Sequence, residues 1–201
     1  MLSVRLEGLD KAMRIFDERI VSRAASQTIN ETVRGVCTST NKEIRQEWNV
    51  KSADLSKKLR AIKMARATDL EGIVEARSTS LSLSYFGAKS YSGTMVQTRT
   101  VGKRLKRSSS RSGVYVQIKR GEGQTHKKNA FMTAVKAGKG GGYHIGVFER
   151  VGKSRLPIVE RKVITVASMF NQEPVQRVAI KTIDDVFPRR FNHHIDRLMS
   201  K

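Results

Sequence analysis

The side chains able to do chemistry are few and poorly placed for it. The densest cluster is His193-His194 with Asp196, near Asp184 and Asp185. Histidine and aspartate are what a metal-dependent nuclease would use to hold its ion on a phosphate. Adjacent helical positions point about 100° apart, so His193 and His194 do not readily share one ion. No HExxH or HxH-type set accompanies them, and a structural or surface role is the plainer reading. Cys37 is the single cysteine. A nucleophilic thiolate needs a lowered pKa and a partner base; the sequence supplies neither, so Cys37 reads as a small hydrophobe on a helix. Catalytic carboxylate pairs must share a pocket, whereas Glu7, Asp10, Asp17, Glu18, Glu43 and Glu47 fit solvated helix faces. His126 and His144 read as solvent or packing residues. Neither GxxxxGK[ST] nor GxGxxG is present. The sequence therefore predicts no enzyme, with no catalytic, cofactor-binding or metal residues.

What remains is charge. Lys plus Arg number 39 against 18 Asp plus Glu, a net charge of +21. Residues 1–75 hold 14 basic and 11 acidic side chains, residues 76–145 hold 14 and one, and residues 146–201 hold 11 and 6. The middle third thus carries most of the field, and such a field draws an acidic partner. Its densest part runs from Gly102 to Gly113, with Lys103, Arg104, Lys106, Arg107 and Arg111 among serines. Five like charges are costly to bury and serine and glycine pack poorly, so this segment reads as a mobile loop or arm. Lys119, Arg120, Lys127, Lys128, Lys136 and Lys139 extend the basic set. These residues suit contact with nucleic-acid phosphates or with an acidic protein surface; a solvated loop is the plain alternative. Tyr85, Tyr91 and Tyr115 flank the stretch and could stack on bases, although strand packing is their simpler use. Zinc-finger spacing, an RNP motif and bZIP heptads are all missing, so a nucleic-acid contact would be to the backbone and would not read sequence.

The elements that must carry this charge follow from length and pattern. At 201 residues and 38% apolar content, one domain with a thin core is expected. No apolar run reaches the roughly 18 residues of a membrane span. The opening Met1–Glu7 has no signal-like segment, and with one cysteine the expectation is a soluble protein made in a reducing compartment. Leu2–Leu6 alternates like a short strand. Leu9, Met13, Phe16 and Ile20 recur at helical spacing, as do Val21, Ala25, Ile29, Val33, Val36, Ile44 and Trp48. Ser52 suits the N-cap of a short helix. Strands are predicted at Ala61–Arg66, Gly72–Ala76, Leu81–Tyr85, Val114–Ile118 and His144–Arg150, the basic loop near residue 107 joining two of them as an extended hairpin arm. Val175, Val178, Ala179, Ile183, Val186 and Phe187 make a last helical stripe that Pro188 interrupts, with Phe191, Ile195 and Leu198 beyond. The predicted class is α+β. N-terminal helices precede a central antiparallel β-sheet with a long basic loop or arm, and C-terminal helices follow, broken near Pro188. One domain spans 1–201: mainly helical over 1–59, mainly β over 60–165 with the arm at about 86–113, and helical over 166–201.

The order of these features resembles the minor tail protein Z, or tail completion, family of lambda-like phages and prophages. The resemblance is carried by Leu6-Glu7-Gly8-Leu9-Asp10-Lys11-Ala12, by the small-residue helix Arg23–Thr32, and by Asn129-Ala130-Phe131-Met132 followed by Gly146–Arg150. Gly152-Lys153-Ser154-Arg155-Leu156-Pro157-Ile158 is its most specific stretch. The basic run around Lys103–Arg111 and the Pro188 break fit it as well. The resemblance implies a structural virion protein that acts late in assembly at the head-proximal end of a long non-contractile tail. It implies tail terminator, tail tube, tape-measure and head–tail connector proteins as partners, a hexameric or trimeric ring, phage DNA nearby, no membrane and no cofactor. Before assembly the protein would sit in the bacterial host cytoplasm. Lys153, Arg155, Leu156 and Pro157 then read either as an assembly contact or as a rigid turn that serves the fold alone.

Overall fold

A computed structural model of the chain describes residues 17–91, 95–98, 106–109, 113–136 and 143–200. The strand predicted at Leu2–Leu6 and the helical positions Leu9, Met13 and Phe16 lie outside them. The described chain is α+β, with helices at both ends and antiparallel strands between. It forms two compact units. Of the described residues, one comprises 17–46, 52–79 and 165–200, and the other 47–51 and those between 80 and 164.

The first unit is organised by α1, Glu18–Glu47, which the short α2, Ser52–Ser56, follows. Asp17 starts α1, its carboxylate accepting the Arg19 amide at 2.8 Å. Glu18 in the first turn and Arg45 in the last both suit the helix dipole. The small-residue stripe is buried as its spacing predicts: Val21, Ala24, Ala25, Ile29, Val33, Val36 and Ile44. Thr28 and Thr40 are buried with them, and each satisfies its hydroxyl on the carbonyl four residues back, Ala24 and Val36. Two elements exploit the small face. The hairpin of β1, Leu59–Lys63, and β2, Ile73–Ala76, approaches through Gly72. A Cβ on Gly72 would stand 2.6 Å from Val33 Cγ2 and 2.8 Å from Ile29 Cγ2, so only glycine admits this approach. Asn30 pins the same hairpin by bonding both the carbonyl and the amide of Ala65.

The second partner of α1 is α4, Glu173–Met199, which follows the short α3, Val166–Phe170. It runs antiparallel to α1: Thr182 donates to Ser39 at 2.8 Å, Arg190 pairs with Glu31 at 3.1 Å, and Arg197 donates to Gln27 at 2.7 Å. The predicted break near Pro188 is not there. Pro188 lies inside one continuous helix. An interior proline removes a backbone bond and crowds the carbonyl four residues back, at a cost of about 3 kcal/mol. Here the anchors fall on both sides of it, with Thr182 before and Arg190 and Arg197 after, so tertiary packing holds the helix through the defect.

In the second unit the ladders described below all pair antiparallel. One three-stranded sheet orders β11 (Ile158–Glu160), β10 (Tyr143–Arg150) and β9 (Ala130–Lys136). Another orders β4 (Lys89–Tyr91), β7 (Gly113–Val116) and β8 (Thr125–Lys127). Leu81, Phe86, Val114, Val116, Val147 and Phe148 form the core. The strand predicted over Leu81–Tyr85 is shorter than expected: β3 covers Ser80–Ser82, and Leu83–Phe86 is a 3-10 turn. Ser82 caps that turn, Gly87 ends it at φ 66°, and the tighter winding puts both Leu83 and Phe86 in the core.

The predicted hairpin arm is present. Part of what reads as loop is strand: β6, Lys106–Ser109, pairs with β5, Met95–Thr98. Tyr91 faces Gly113 in the β4–β7 ladder and Met95 faces Ser109 in the β5–β6 ladder. Four steps forward on one side match four steps back on the other, so both ladders share one register.

Candidate anion-binding site

The arm is rooted where β7 meets β8. Gly113 has φ 144°, and a Cβ there would stand 2.5 Å from the Lys127 carbonyl oxygen, so glycine alone lets the two strands come this close. Across the same pair Tyr115 faces His126, their rings stacked at 4.4 Å. Tyr115 is thus used in packing, and His126, which sits on β8, packs with it.

Beside this root lies a cleft of about 600 Å³. Lys128 enters it from the turn after β8, Arg150 from the end of β10, and Lys153 from the turn between β10 and β11. Ser90, Gly113 and Asn129 add polar and backbone lining, and no carboxylate is among its described lining residues. Arg150 is held by Phe131, its guanidinium 5.0 Å over the ring. Among the described residues no carboxylate pairs with Lys128, Arg150 or Lys153. Three unneutralised cations around one cavity make a positive focus for an anionic group, with Arg150 offering a planar fork and the lysines point charges.

The other basic residues singled out in the sequence are dispersed. Lys103, Arg104, Arg111 and Lys139 lie outside the described residues. Lys106 and Arg107 occupy β6, opposite Thr98 and Gln97. Lys119 is engaged within the fold, its ammonium 2.7 Å from Glu47 and 5.1 Å over the Trp48 ring. The hydrogen bond to Glu47 holds its proton more tightly than usual. Arg120 donates its amide to the Glu47 carbonyl and leaves an exposed side chain. Lys127 is half-buried opposite Val114, and Lys136 is exposed at the end of β9, facing Tyr143. Arg155, Leu156 and Pro157 stay with Lys153 in one exposed turn that the Val151 amide closes on the Pro157 carbonyl. The turn leads into β11, and its Leu156–Pro157 bond is cis.

The structure therefore unites Lys128 with Lys153 and adds Arg150, which sequence reasoning did not select. Its signal was faint: an arginine ending a strand pattern three residues before Lys153. The carboxylates and histidines play other parts. His144 meets Glu160 at 2.6 Å. Burial pushes the Glu160 carboxyl up, but hydrogen bonds from His144 and Ser82 and the nearby Lys162 prevail and leave it below its usual range. His194 is buried on α4 with its Nε2 3.3 Å from Glu31 on α1. Among the described residues no three His, Cys, Asp or Glu side chains gather as a metal site.

The described chain is thus an α+β subunit with a cationic cleft at the root of a hairpin. The chain matches the family model of prophage minor tail protein Z (GPZ) over residues 6–200 and belongs to that family. No curated protein and no solved structure matches it. It is accordingly a structural protein of a phage tail, with other virion components as its partners. No described helix is long and apolar enough to cross a membrane.

Proposed function

We propose that this protein completes the tail at its head-proximal end, helps join tail to head, and seats the DNA end there through backbone contacts. Its partners would be the tail terminator, tail tube or tape-measure proteins and the head–tail connector. Several copies, as a trimer or hexamer, would form a ring. The observation that carries this reading beyond family membership is the cleft of Lys128, Arg150 and Lys153 at the root of the basic hairpin. Repeated around a ring, it gives a positive annulus suited to phosphates of any sequence. The test is to delete the gene, image the particles and measure infectivity. Tails that assemble yet yield particles unable to infect are expected. Normal infectious particles would overturn the reading and favour a general backbone-binding nucleic-acid protein, for which the charge of +21 also speaks.

A further inference from the structure

The first unit holds a second concavity, of about 560 Å³, between α1 on one side and α2 and β1 on the other. Arg34, Thr38, Asn41 and Arg45 recur every three or four residues and so form one stripe along α1. Lys42 flanks the stripe, and Arg60 faces it from β1. Arg34, Lys42, Arg45 and Arg60 rim the groove without a carboxylate among its described lining residues, and none of the four is ion-paired among the described residues. Arg45 Nε is shielded from water and lacks a hydrogen-bond partner among the described residues. The floor is different. Cys37 and Ala61 are half-buried and Leu59 is buried. Burial pushes the Cys37 thiol up, keeping it neutral, while a backbone bond at Ala61 pulls the other way. At one end Asn41, Ser52 and Ser56 satisfy one another.

A cationic rim over an apolar floor has a specific complement. We propose that the α1 groove binds an acidic polypeptide segment of a partner protein, its carboxylates on the four rim cations and an apolar side chain on the Cys37–Ala61 floor. A nucleic-acid backbone presents a row of phosphates with nothing to cover that floor, and the polar cleft beside Lys128 suits it better. An acidic segment gains from both features, and the Arg45 fork suits a carboxylate.

Cys37, the only cysteine in the chain, lets the groove report its own occupancy. The rate at which a maleimide labels Cys37 in the full-length protein is measured alone, with a short leucine-containing glutamate peptide, with the same peptide lacking leucine, and with a short DNA duplex. The leucine-containing peptide is expected to slow labelling about tenfold at saturation, the leucine-free peptide less, and the duplex least. The exposed rim charges are then reversed as Arg34→Glu, Lys42→Glu and Arg60→Glu. The triple variant should keep its melting temperature, which shows it folded, and lose the protection relative to its own unliganded labelling rate. Equal or stronger protection by DNA overturns the proposal in favour of nucleic acid. Absent protection, or protection unchanged in a folded variant, overturns it outright. None of these outcomes touches the Lys128 cleft, so the two readings stand or fall separately.

Discussion

His144 and Glu160 show at the residue scale how a polar pair in this fold is felt through pH. The Glu160 carboxyl lies below its ordinary value of 4.5 in the folded state. The unfolded chain therefore binds more protons in that range, and stability rises with pH there. The contribution of the ionised Glu160 carboxylate is fully present above about pH 4.5 and is lost as pH falls through the folded-state value. Urea unfolding of the wild type and Glu160→Gln should give a stability difference that shrinks steadily on acidification from about pH 5 to pH 3. A difference independent of pH would remove the assigned role. The same scale shows what spacing hides. Lys128 and Lys153 were legible as basic residues, but their meeting depends on β9, β10 and β11 lying side by side, which charge counting does not reveal. Lys119 looked equally available, yet its partners Glu47 and Trp48 sit far back in the chain, where only the folded strand crossing brings them near.

At the scale of elements, the 3.6-residue stripe on α1 was readable because one face packs and the other is wet. Two of the places that read wrongly involve tertiary override. Leu81–Tyr85 alternates as a strand should, but packing Phe86 into the core draws the chain into a turn. Pro188 is a helix breaker by local chemistry, and α4 passes through it because α1 grips both flanks. That defect can be measured. Pro188→Ala restores a backbone donor and removes the ring's crowding, while giving the unfolded chain more freedom. The net expectation is a gain of about 1–2 kcal/mol in chemical denaturation, with no loss of helix signal. A destabilised variant would mean that the proline fits the helix as it stands.

On the scale of the whole molecule, the excess of positive charge was plain in the composition, and the family match turns it into a tail component. If the Lys128 cleft meets DNA phosphates, salt dependence will count them. Replacing Lys128, Arg150 and Lys153 together with alanine should lower the slope of log affinity against log salt by about 2 to 3 for duplex DNA, whatever its sequence. An unchanged slope would place the phosphates elsewhere. The division of the chain also has a consequence in time. The second unit is drawn mostly from one uninterrupted stretch, Ser80–Ile164, whereas the first needs α1 from near the start and α4 from near the end. During synthesis the inner stretch emerges complete while α1, already long outside the ribosome, still awaits the helix that covers it. The hairpin of β1 and β2 can thus cover its part of the small-residue face soon after α1 emerges, while the part that α4 closes stays bare until the whole second unit has been made.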